Sequence, residues 1–92
     1  MNSAKISARH ILVDNEYEAK DILKLLKEGK SFSDLAQKFS KCPSAKLGGD
    51  LGEFAQGRMV EAFNATAFTL TVDEISAPVR TRFGYHIIQR YK

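Results

Sequence analysis

Met59 and Phe63 stand four residues apart, one helical turn, so a helix through them would present a thioether and a phenyl ring on one face. Such a pair can floor a small apolar cup, although the same spacing also suits ordinary core packing of a helix. Upstream lies Gly48-Gly49-Asp50-Leu51-Gly52-Glu53-Phe54, a glycine-rich turn running into a short apolar strand, and Gly57 then leads into the helix carrying the pair. The only two histidines, His10 and His86, fall inside the first and last strand-like runs. If those strands are neighbours the imidazoles face each other, and one ring donating to the other fixes both tautomers. The single cysteine, Cys42, follows a helical run and precedes Pro43. Three chemistries are open to this set: a scaffolding hydrogen-bond network, a cysteine nucleophile with an imidazole base, or a metal site. The ligands lack zinc-motif spacing, and the chain is short for a cysteine protease.

The elements that must position these groups follow from periodicity. Ile6 to Val13 reads as a strand with Ile6, Ala8, His10 and Leu12 on one face and Ile11 and Val13 on the other. Apolar residues on both faces predict a central strand covered by helices. Asn15 is an N-cap, Glu18 completes a capping box, and Ala19, Ile22, Leu23 and Leu26 keep helical spacing up to Gly29. A second helix starts at Ser31, carries Phe32, Leu35, Ala36 and Phe39, and ends before Cys42-Pro43. Residues 42 to 50 lack periodicity and read as a loop. Leu51 to Phe54 reads as a strand, Glu61 to Phe68 as a third helix and Leu70 to Glu74 as a turn. Ile75 to Val79 and Tyr85 to Tyr91 read as strands of a hairpin whose connection contains Gly84. The order β-α-α-β-α-β-β predicts an α+β domain with a four-stranded antiparallel sheet and surrounding helices.

The 92 residues suit one domain, and 43% hydrophobic residues with six Phe and three Tyr suffice for one core. A lone cysteine forms no internal disulfide, and no signal peptide or membrane-length apolar run is visible, so the expectation is a soluble cytoplasmic monomer without membrane contact. The net charge of +3 is spread over interspersed lysines, which fits a solvated surface better than a nucleic-acid face. Gly48-Gly49-Asp50-Leu51-Gly52 is no phosphate loop, because no Gly-Lys-Ser/Thr or long helix follows it.

The whole chain resembles parvulin-type peptidyl-prolyl cis/trans isomerases, and small single-domain bacterial members most of all. The resemblance rests on Ala8-Arg9-His10-Ile11-Leu12-Val13, Phe32-Ser33-Asp34-Leu35-Ala36, Cys42-Pro43-Ser44-Ala45-Lys46, the glycine-rich stretch to Phe54, Gly57-Arg58-Met59-Val60, Ile75-Ser76-Ala77-Pro78-Val79 and Phe83-Gly84-Tyr85-His86-Ile87-Ile88. Each piece is weak alone; their order and spacing are specific.

The resemblance implies the parvulin (FKBP-like) fold across residues 1–92 and a proline pocket of Leu51, Met59 and Phe63. It implies a polar centre of His10, Cys42, Thr81 and His86. Phe83 falls where some members carry a small hydroxyl residue and bacterial single-domain forms an aromatic, and it is placed with the substrate-binding residues. The implied reaction is rotation about X–Pro bonds in unfolded or flexible segments, with no metal or cofactor. The alternative is a chaperone-like module that holds proline-containing segments with little turnover. Phosphate-directed parvulins carry a basic loop after the first strand and a tryptophan-rich module. Here that loop reads Asp14-Asn15-Glu16-Tyr17-Glu18 and the chain has no Trp, so the expectation is an activity independent of phosphorylation.

Overall fold

The structure, a computed structural model, describes residues 4–92. Strand β1 (Lys5–Val13) is followed by helices α1 (Glu16–Lys27) and α2 (Phe32–Phe39), strand β2 (Asp50–Ala55), helix α3 (Glu61–Ala67) and strands β3 (Val79–Thr81) and β4 (Gly84–Arg90). All strand pairings are antiparallel and the sheet order is β2-β1-β4-β3, so β1 and β4, which carry the histidines, are the two central strands. This is the expected α+β architecture in the expected order of elements.

Strand alternation divides the core in two. Ile11, Val13 and Ile87 point to the face covered by α1 and α2, where they meet Ala19, Ile22, Phe32, Leu35 and Ala36. Ile6, Ala8 and Ile88 point to the other face and meet Phe54, Phe63, Ala67 and Leu70. The two-sided apolar pattern of β1 therefore has its cause in helices on both sides of the sheet. At the start of α1 the Asn15 N–H donates to Glu18 Oε1 at 3.1 Å, and at the start of α2 Ser31 Oγ accepts from the Asp34 N–H at 3.2 Å.

Three sequence expectations need correction. The segment 42–50 is not an open loop throughout. Pro43–Leu47 winds into a 3-10 turn, closed by Ala45 N–H to Cys42 O and Gly48 N–H to Ala45 O, at 2.9 and 3.0 Å. Proline at the first position suits it, because the missing N–H is an unpaired one there. Secondly, Ile75 to Val79 is not a strand: only Ile75 makes an isolated bridge, to Gln89, and the third strand is Val79–Thr81. Ser76 pairs with Ile88 partly through its side chain, and Pro78 has no N–H for a ladder. Thirdly, Met59 is not on the helix with Phe63. It precedes Val60, the N-cap of α3, so the two side chains meet through the turn rather than along a helix face.

Two glycines fix the strands that carry the histidines. Gly49 has φ +85°, accepts the His10 N–H at 2.9 Å, and lies so close to β1 that a Cβ would collide with the His10 carbonyl oxygen. Gly84 has φ +137°, and a Cβ there would collide with the Val13 carbonyl oxygen.

Candidate active site

The register of β1 and β4 sets Leu12 opposite His86 and His10 opposite Ile88. His10 and His86 are therefore diagonal neighbours on one face, within reach of each other. Their Nδ1 atoms are 3.0 Å apart and their rings stack with centroids 5.2 Å apart and planes 15° apart. His86 Nε2 lies 2.7 Å from Thr81 Oγ1, which also accepts the Phe83 N–H at 3.1 Å. Two proton patterns satisfy this chain. If the Thr81 hydroxyl donates to His86 Nε2, His86 Nδ1–H donates to His10 and the His10 proton sits on Nε2; the reverse direction leaves His10 Nε2 as a lone pair. His10 Nε2 is buried and, among the described residues, has no hydrogen-bond partner.

Burial, and secondarily the neighbouring His86, pull the His10 pKa down to about 4; burial also lowers that of His86. Both rings are therefore neutral at pH 7, which suits fixed hydrogen-bonding better than donation of a proton from an imidazolium.

Over these rings sits an apolar cavity of about 500 Å³ lined by His10, Leu12, Lys41, Cys42, Pro43, Leu51, Arg58, Met59, Val60, Phe63, Phe83 and His86. Phe63 forms its wall, edge-on to both imidazoles, with centroids 5.4 Å from His10 and 5.2 Å from His86. Phe83 stands at the mouth, 53% exposed. A larger cleft of about 600 Å³ lies on the opposite face of the sheet, around Arg9, Gln89 and Tyr91. It holds neither histidine, and four of its polar side chains pair with one another: Arg9 with Gln89, and the Tyr91 hydroxyl with Asp50.

Residues 10–92 match the family model of the PPIC-type PPIase domain, the rotamases. The chain belongs to the PPIC-type peptidyl-prolyl isomerase family. It is 49% identical over 87 residues to the foldase protein PrsA of Bacillus subtilis, covering 94% of this chain and 30% of that protein. The crystal structure of B. subtilis PrsA superposes with a TM-score of 0.94 at 48% identity, over 96% of this chain and 35% of that one. The solution structure of NmPin, the parvulin of Nitrosopumilus maritimus, gives a TM-score of 0.90 at 45% identity, with both chains covered in full. The chain thus spans about 30% of the length of the curated foldases it matches.

Seven of the eight residues singled out from the sequence line the apolar cavity: His10, Cys42, Leu51, Met59, Phe63, Phe83 and His86. The eighth, Thr81, stands behind His86 and reaches the cavity only through that ring. Leu12, Lys41, Pro43, Arg58 and Val60 were not singled out. Leu12 shares the His10 face of β1, a signal already in the alternation; the others are brought in by turns whose course no periodicity announces. Among the described residues, Cys42, His10 and His86 do not converge into a group that could hold a metal ion. Cys42 heads the 3-10 turn and is partly exposed in the cavity wall. Because rotation needs no nucleophile, Cys42→Ser retains peptide turnover within about fivefold of wild type, a change of ~1 kcal/mol in barrier. Complete loss of turnover in a folded Cys42→Ser protein would instead require a covalent role.

Proposed function

We propose that this rotamase domain accelerates cis/trans rotation about X–Pro bonds in unfolded or flexible chains, without a phosphate requirement and without a covalent intermediate. The observation that carries this reading is the apolar cavity closed at its base by a neutral, hydrogen-bonded histidine pair. Rotation passes through a twisted amide against a barrier of ~18–20 kcal/mol, most of it lost resonance. The planar amide carries extra charge on its carbonyl oxygen, which water stabilises. A cavity walled by Leu51, Met59 and Phe63 withdraws that water, so the planar state loses more than the twisted one. A fixed donor near the prolyl nitrogen favours the twisted form further, because its lone pair is then free. Bonds are neither made nor broken, so neutral imidazoles suffice: they hold the shape and polarity of the cavity.

Independence from phosphate is supported by the segment after β1. Asp14 and Glu16 are exposed there, and Lys41, the nearest cation of the cavity wall, already pairs with Asp14 at 3.1 Å. The free, partly exposed thiol of Cys42 is consistent with a reducing, cytoplasmic compartment. A second reading draws on the relatives called foldases: a groove that holds proline-containing segments, here or within a longer protein, with little turnover. Matched Ser-Pro and phosphoserine-Pro peptides test the proposal by exchange NMR. Faster exchange of the unphosphorylated peptide supports it; acceleration confined to the phosphorylated one overturns phosphate independence, and binding without acceleration of either favours capture.

A further inference from the structure

The rim of the cavity bears two cations, and only one of them is free. Lys41 is neutralised by Asp14. Arg58 is exposed and, among the described residues, makes no ion pair. It is also firmly placed. The Arg58 N–H donates to the Ala55 carbonyl at 3.3 Å, and the preceding Gly57 N–H is held by Asn64 Oδ1 at 2.7 Å, so a closed turn presents the guanidinium.

Beside the apolar cavity lies a second concavity of about 380 Å³, lined by Lys5, Leu51, Glu53, Phe54, Ala55, Arg58 and Met59. Leu51, Arg58 and Met59 belong to both, forming a shared ridge. A peptide whose proline fills the first and whose chain crosses that ridge lays a neighbouring residue toward the second. There it meets two cations, Lys5 and Arg58, against the single carboxylate of Glu53. At the other end of the groove the cation of the cavity wall, Lys41, is already taken by Asp14.

We infer that Arg58 selects substrates: it recognises the carboxylate of an aspartate or glutamate flanking the proline, on the side that crosses Leu51 and Met59. This rests on the proposed isomerase reading and gives it a substrate class. A guanidinium offers a carboxylate two parallel N–H donors, and an exposed contact of this kind acts on binding more than on the rotation itself.

The test is a set of unphosphorylated peptides with Glu, Gln or Lys placed in turn at the two positions on each side of the proline. Exchange rates and Kd are read by NMR for wild type, Arg58→Gln and Arg58→Glu. The expected result is a Glu-over-Gln preference of about threefold to fivefold at one flank, seen in KM and Kd rather than kcat. It falls to near one in Arg58→Gln, turns toward Lys in Arg58→Glu, and fades toward 1 M salt, where the screening length is ~3 Å. A wild type without charge preference, or a preference undiminished in Arg58→Gln, overturns the inference while leaving the isomerase reading intact. If no peptide is accelerated, the isomerase reading falls, and the charge dependence of Kd from the same titrations still decides the role of Arg58.

Discussion

Phe63→Ala lowers the unfolding free energy by about 3–5 kcal/mol and, with the cavity wall gone, removes most turnover. Phe63 is only 3% exposed and packs against Ile6, Ala8, Phe54, Ala67, Leu70 and Ile88, so its ring belongs to the core as much as to the cavity. For a domain of this size each kcal/mol moves Tm by ~4–8 °C, so the melting curve of this variant shifts by more than 10 °C. Activity lost in Phe63→Ala therefore does not by itself identify a cavity wall. Phe63→Leu separates the two roles. It keeps a buried aliphatic side chain but loses the edge contacts to His10 and His86. The account expects Phe63→Leu to stay folded at 25 °C while kcat/KM drops about tenfold, ~1.4 kcal/mol of barrier. Wild-type kcat/KM in folded Phe63→Leu would reduce Phe63 to a packing residue.

The second large effect is acid lability. The His10 pKa is about 4 in the folded chain against 6.5 for a free imidazole. A depressed histidine pKa means that the unfolded chain takes up the proton more readily. Stability is then full well above pH 6.5 and is lost progressively as pH falls from there to the folded value of about 4. From His10 alone the loss is about 2 kcal/mol between pH 7.5 and pH 5, and His86, lowered in the same direction, adds to it. Asp50, held below its ordinary carboxylate value chiefly by the Tyr91 hydroxyl, loses its contribution only at lower pH, so this upper window belongs to the histidines. Urea unfolding at the two pH values measures the difference. Equal midpoints would mean that the buried pair titrates no differently from free imidazole. Over the same range turnover holds near its neutral value until the rings begin to charge.

Much of this was legible in the chain because several signals are local. The alternation of Ile6 to Val13 marks a strand buried on both faces, the Asn15–Glu18 and Ser31 caps start two helices, and His10 and His86 meet because their strands are neighbours. The less legible parts depend on backbone rather than side-chain pattern. The 3-10 turn at Pro43–Leu47 is closed by main-chain bonds that leave no periodic trace. Met59 has helical spacing from Phe63, yet α3 begins two residues after it, at Glu61. The third strand moves to Val79–Thr81 because Pro78 ends any earlier ladder. Arg58 was visible only as one letter beside Met59; its place on a ridge between two concavities is a tertiary property.

The central claim is that an apolar cavity over a neutral histidine pair speeds rotation about an X–Pro bond. The most direct test is exchange NMR on a short unphosphorylated Leu-Pro peptide at pH 7, with catalytic amounts of wild type and of Met59→Ala. Met59 is partly buried and outside the helix, so its truncation thins the cavity wall at little cost to the fold. The account predicts accelerated exchange with wild type and roughly tenfold less with Met59→Ala, as expected for removing one thioether wall of ~1–2 kcal/mol. Peptide shifts that titrate without any faster exchange, or equal acceleration by a folded Met59→Ala, would contradict it.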